Sequence, residues 1–174
     1  AKFAARGRSL HFIGRSPEIN GNPNMKVLIT GGAGFIGSHL AERHLHMGDQ
    51  VAIIDNLSTG SITNIQHLED DENFTILIDD VLNVELMRQL VADCDLIYHL
   101  AAAVGVDLII DNPLQSLTTN IRGTEIILEL ANEKKKKVIL ASTSEIYGKK
   151  NGHIPFTENS DRILGPTTVI RWNY

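Results

Sequence analysis

The 174-residue chain is 43% hydrophobic and 21% charged, an ordinary globular composition with length enough for one domain around a real core. Its net charge of −5 argues against nucleic acid as a partner, since phosphate binding needs a basic face, and no apolar run approaches the roughly 18 residues of a membrane span. A single cysteine, Cys94, excludes an internal disulfide framework, fits a reducing cytoplasmic setting and reads as a small buried hydrophobe.

Residues 1–24 hold Lys2, Arg6, Arg8 and Arg15 against Glu18, a balance of +3 that leaves −8 for the rest. Gly7, Gly14, Pro17, Gly21 and Pro23 interrupt any period, so this stretch reads as a disordered arm or tag. A basic targeting segment is the rival reading. The folded domain is expected over 25–174.

From Met25 the pattern alternates strand and helix. The first strand is Lys26–Thr30, whose consecutive Val27, Leu28 and Ile29 suit a strand buried on both faces of a parallel sheet. A helix from about Gly34 to Met47 is stopped by Gly48. A second strand, Gln50–Asp55, leads through a polar loop to a short helix near Asn64–Leu68. The third strand is Phe74–Ile78. Asn83 can then cap a helix with Val84, Met87, Leu90 and Val91 on one face. The fourth strand is Asp95–Leu100. A long helix follows over about Leu114–Glu133, with Leu117, Ile121, Thr124, Leu128 and Ala131 at helical spacing. Val138–Ser142 is the fifth strand. Right-handed crossovers between such strands make an α/β fold: a doubly wound parallel sheet with helices on both faces.

Between the first strand and helix lies Thr30-Gly31-Gly32-Ala33-Gly34-Phe35-Ile36-Gly37. Gly32, Gly34 and Gly37 satisfy G-x-G-x-x-G in its required setting, after a buried strand and opening a helix. The helix amides and dipole there suit a diphosphate. Asp55, 18 residues beyond Gly37, can accept hydrogen bonds from an adenosine ribose and would repel a 2′-phosphate, which favours NAD over NADP. A plain turn-forming role at a strand end is the alternative. Asp80 and Val81 reach the same sheet edge, where either an adenine contact or a helix-leading turn would use them.

These residues and the blocks TGGAGFIGSHL (30–40), DNLSTG (55–60), YHLAAAVGV (98–106), TNIRGT (119–124), ASTSEIYG (141–148) and RWNY (171–174) resemble the extended short-chain dehydrogenase/reductases of the nucleotide-sugar epimerase/dehydratase family. The resemblance implies a Rossmann-like domain with NAD held by Gly31, Gly34, Phe35, Ile36 and Gly37, by Asp55, Asn56, Thr59 and Gly60, and by Asp80 and Val81. Leu100, Ala101 and Ala102 would line the nicotinamide side, and Asn120 would anchor the active-site helix or its water. Thr143 matches the family's Ser/Thr on the reacting hydroxyl, and Tyr174 the Tyr of its Y-x-x-x-K pair. The Lys would fall four residues beyond Tyr174. The C-terminal substrate region of the family is absent from the sequence, so a catalytically incomplete NAD-binding module is the reading from another class.

A sugar alcohol cannot release hydride unless its proton leaves too. A phenolate at Tyr174 could take that proton while Thr143 holds the oxygen. The resulting 4-keto sugar can be reduced from the other face, lose a C6 carboxylate or eliminate water. Thr143-Ser144-Glu145 lacks the Asp that one dehydratase branch uses as its acid. UDP-glucuronate decarboxylases share the Thr-Ser-Glu run but differ at 101–106. The Ala-rich stretch there points to UDP-hexose 4-epimerisation, with decarboxylation and 4,6-dehydration as alternatives. Glu145 is expected either as an acid/base at the sugar or as a hydrogen-bonding partner beside the fifth strand. A UDP-sugar is the expected substrate. The resemblance also implies a homodimer, formed partly by the helix in 114–133.

His99 is expected to hydrogen-bond backbone near the cofactor. None of the histidines shows metal-ligand spacing, and Asp79-Asp80 suits turns better than a metal. Lys134–Lys137 reads as a solvated turn, and 149–165 as a long loop over the site.

Overall fold

The computed structural model describes residues 24–103, 111–147, 155–160, 163 and 165. Five parallel strands form one sheet in the order β3-β2-β1-β4-β5. They are β1 (Lys26–Thr30), β2 (Gln50–Asp55), β3 (Phe74–Ile78), β4 (Leu96–His99) and β5 (Lys137–Leu140). The connecting helices are α1 (Phe35–His46), α2 (Val84–Asp93), α3 (Pro113–Leu117) and α4 (Gly123–Lys134). This is the doubly wound sheet expected from the alternating pattern, with the first two strands and the third at the expected bounds.

Strand alternation sorts the core into two layers. Val27 and Ile29 of β1 face one side with Val51 and Ile53 of β2, where Ala33, Ala41, Ile65 and Leu68 cover them. Leu28, Ile54 and Ile97 face the other, under Met87 and Val91 of α2 and Ile126, Ile127 and Leu130 of α4. Asn83 caps α2, its side-chain oxygen accepting from the Leu86 amide at 3.3 Å. Gly123 opens α4 against Val81: a Cβ there would lie 3.0 Å from a Val81 methyl.

Besides the bounds of β4 and β5, expected over Asp95–Leu100 and Val138–Ser142, three expectations change. The short helix near Asn64–Leu68 is a pair of 3₁₀ turns, Ile62–Asn64 and Gln66–Leu68. The long helix is interrupted by a π turn, Thr118–Arg122, between α3 and α4. Its apolar positions also divide. Gly123, Ile126, Ile127, Leu130 and Ala131 are buried, whereas Leu117, Ile121 and Leu128, together with Leu114, stand in solvent at 47–77% exposure. The sequence carries two apolar stripes on this helix, and the β-sheet takes only one.

Ile127 is fully buried between α2 and the sheet. Ile127→Ala is expected to cost about 2–5 kcal/mol by lost transfer energy and a residual cavity, read as a lower urea midpoint.

Candidate active site

The sheet order reverses at β1, so the loops after β1 and β4 leave in opposite directions and open a crevice at the C-terminal edge. The glycine loop lies there. Gly31 has φ +71, and a Cβ on it would sit 2.8 Å from the Ala101 amide nitrogen. At Gly37 a Cβ would collide with the Gly31 carbonyl oxygen, and at Gly32 with Ile53. These glycines let the turn, the β4 loop and α1 approach one another. Gly34 is the N-cap of α1 and supplies no side-chain acceptor. The amides of the first turn therefore face the crevice without a capping side chain, and Phe35 and Ile36 stand 78% and 61% exposed beside them. A cradle that side chains would fill, closed by a helix N-terminus, fits a dinucleotide's diphosphate.

Asp55 ends β2 with only 9% exposure. One carboxylate oxygen accepts from the Ala33 amide at 2.9 Å and the other from the Leu57 amide at 2.8 Å. A Cβ on Gly60 would lie 3.0 Å from both oxygens. Asp55 thus ties the glycine loop to the 55–60 block, the turn role given above as its alternative. Each oxygen keeps a further lone pair for a ligand hydroxyl.

Asn56 donates to Asp80 at 2.8 Å and accepts from the Ser58 amide at 3.0 Å, while Thr59 is exposed in the same loop. Asp80 also accepts from the Leu82 amide at 2.9 Å. The Val81 side chain is 5% exposed and packs in the α2/α4 core, which leaves its backbone at the edge. Pro113, Leu114, Thr118 and Thr119 face Asp80 across a groove of about 570 Å³.

Leu100 and Ala101 are half-buried and Ala102 is exposed along the loop after β4. Asn120, in the π turn, clasps Ala103: its side-chain oxygen accepts from the Ala103 amide at 2.7 Å, and its side-chain nitrogen donates to the Ala103 carbonyl at 3.3 Å. Its observed role is to hold this loop against the helix. His99 does not bond backbone as expected. It is buried between two hydroxyls, those of Thr30 at 2.8 Å and Thr124 at 3.2 Å, and burial lowers its pKa.

Thr143 stands three residues past β5 at the same sheet edge, and Glu145 lies in the 3₁₀ turn Ser144–Tyr147. Tyr174, residues 104–110 and most of 149–165 lie outside the described residues. Among the described residues no group of His, Cys, Asp and Glu could hold a metal, and no helix is long and apolar enough to cross a membrane. Cys94 is buried and burial pushes its thiol up to about 11, so it is packing rather than chemistry.

Two features were not read from the sequence. Asn64 donates to the Ala33 carbonyl at 2.8 Å, bracing the glycine loop from the 3₁₀ turns. At the opposite sheet edge, His44, Asp49 and Tyr98 form a network, with His44 2.7 Å from Asp49 and 3.2 Å from the Tyr98 hydroxyl. The sequence clue was a carboxylate five residues past a helical histidine.

A family described as GDP-mannose 4,6 dehydratase matches residues 28–167. The chain belongs to that family. Its membership agrees with the extended short-chain dehydrogenase/reductase resemblance of the motifs. It is 46% identical over 149 residues to a UDP-N-acetyl-alpha-D-glucosaminuronate decarboxylase of Bacillus cytotoxicus, covering 86% of this chain and 45% of that protein. It is 39% identical over 128 residues to UDP-glucuronic acid decarboxylase 1 of Danio rerio, covering 74% and 29%. A UDP-glucose 4-epimerase of Thermus thermophilus in complex with NAD superposes with a TM-score of 0.70 at 30% identity, over 80% of this chain and 45% of that one. The chain thus spans less than half the length of each of these relatives.

Asp55→Asn puts an NH₂ where an oxygen now accepts a backbone amide. It is expected to lower stability by about 1–3 kcal/mol even with no ligand present, read by urea unfolding of the chain alone. An unchanged midpoint would mean that Asp55 does not hold the two loops.

Proposed function

We propose that this family member binds NAD across the crevice and that its whole protein acts on a UDP-linked hexuronate, removing the C6 carboxylate through a transient 4-keto sugar. The 46% identity to a UDP-N-acetyl-alpha-D-glucosaminuronate decarboxylase carries this reading. The Thr143-Ser144-Glu145 run supports it, and the balance moves away from the 4-epimerisation first expected from the Ala-rich loop.

In this reading the first-turn amides of α1, with Gly31, Gly34, Phe35, Ile36 and Gly37, hold the diphosphate. Asp55 takes the adenosine ribose through its spare lone pairs, beside Asn56, Thr59 and Gly60. Asp80 and the Val81 backbone border the adenine. Leu100, Ala101 and Ala102, fixed by Asn120, form the nicotinamide wall. NAD, when bound, supplies the acceptor for the sugar's C4 hydride and returns that hydride at the end. Thr143 orients the C4 hydroxyl, and Tyr174 removes its proton. A C4 ketone is β to the C6 carboxylate, so the electrons of the C5–C6 bond pass into the enolate as CO₂ leaves. Glu145 is the group assigned to the proton that C5 then needs.

Epimerisation of a UDP-hexose is the second reading, favoured by the Thermus thermophilus fold neighbour. The exposed Leu114, Leu117, Ile121 and Leu128 stripe suits a second copy of the chain, so a homodimer is proposed. A monomer by light scattering would remove that part.

The test supplies the protein, expressed with whatever its gene encodes after Tyr174, with UDP-glucuronate, UDP-N-acetylglucosaminuronate, UDP-glucose and UDP-N-acetylglucosamine. CO₂ release from a uronate with formation of the UDP-pentose supports decarboxylation, and Thr143→Val should lower kcat by about 10²-fold or more. Interconversion of gluco and galacto forms without CO₂ selects epimerisation. No product from any of the four removes the enzyme reading. NAD is expected to bind more tightly than NADP, because the Asp55 carboxylate repels a 2′-phosphate.

A further inference from the structure

We infer that His99 is a positioning residue that carries its hydrogen on Nε2 and, between Thr30 and Thr124, ties the 100–103 segment and the π turn to the glycine loop. The hydrogen inventory at each end of the ring demands the same tautomer. Thr30 Oγ1 lies 2.8 Å from His99 Nδ1, accepts from the Ala101 amide at 3.1 Å and shares the Leu100 amide, at 3.2 Å, with the Thr30 carbonyl at 3.1 Å. A hydroxyl has two lone pairs and one proton. With the Ala101 amide on one lone pair and a share of the Leu100 amide on the other, Thr30 gives its proton to Nδ1, which must be bare.

At the other end, Thr124 Oγ1 lies 3.2 Å from His99 Nε2 and donates its one proton to the Asn120 carbonyl at 2.7 Å. Toward the ring it can only accept, so Nε2 bears the hydrogen. The ring is 2% exposed and Thr30 is fully buried, and burial disfavours the imidazolium. Donation therefore runs one way, from Thr30 to His99 to Thr124 to the Asn120 carbonyl. The Asn120 side chain closes the circuit by clasping Ala103. Leu100 and Ala101 are held at one end of the segment and Ala103 at the other, with His99 as the shared link.

The consequence for affinity rests on the NAD reading above, in which this segment is the nicotinamide wall. Thr124 lies on α4 and has no bond to the glycine loop except through the ring, so it tests transmission. Long-range ¹H–¹⁵N spectra of the labelled chain, with His99 assigned by its loss in His99→Gln, should show a protonated Nε2 and a bare Nδ1. Thr124→Val should shift the Ala101 and Gly31 amide resonances and weaken NAD binding about 3- to 10-fold, the worth of one hydrogen bond. Thr124→Ser, which keeps the hydroxyl, should restore both. A protonated Nδ1, or a Thr124→Val spectrum changed only around α4, overturns the inference. If wild-type chain shows no saturable NAD binding, the cofactor reading fails by itself, and the ring's tautomer and the Ala101 amide shift still decide the role of His99.

Discussion

β1 is hydrogen-bonded on both sides to parallel neighbours, and the crevice exists because of it. Its last residue serves both flanks: the Thr30 carbonyl receives the Leu100 amide at 3.1 Å, while the next amide, of Gly31, donates to Ile54 of β2 at 2.8 Å. The turn after β1 is therefore pinned between β2 and β4 at the point where the chain must reverse direction. Only a residue without Cβ can occupy position 31, because the φ there is left-handed and the β4 loop is in contact.

The two ends of α1 are treated differently. At its C-terminal end, His44 and Asp49 are both buried, and Asp49 also accepts the Met25 amide at 3.0 Å, which binds the helix end to the start of β1. Tyr98 extends the attachment to β4. At the N-terminal end no side chain caps the helix. Fastening one end permits the other to leave its amides without protein partners, a cost that an anionic ligand would offset.

What could be read in the sequence was local. Val27-Leu28-Ile29 announces a strand covered on both faces, the glycine spacing announces the turn, and Asn83 announces the start of α2. What could not be read was made by residues distant along the chain. The π turn falls where Asn120 reaches 17 positions back to Ala103. His99 faces hydroxyls 69 residues upstream and 25 downstream, so no window of sequence displays its partners. The helical spacing of Leu117, Ile121 and Leu128 was visible, but periodicity alone cannot say which of two apolar stripes a sheet will cover. For the candidate site, the motif blocks located the glycine loop, Asp55 and Thr143. They left open whether Asp55 forms a turn or meets a ribose, and only the folded chain shows both its oxygens on backbone amides.

That engagement bears on how such a protein could change its cofactor. Trading the acid at 55 for a smaller or basic residue is the obvious step toward accepting a phosphorylated ribose. Here the same trade strands the Ala33 and Leu57 amides and loosens the turn proposed to receive the diphosphate. Evolution along that route has to install substitute acceptors before, or together with, the exchange, so the proposed preference is guarded by foldability as well as by charge.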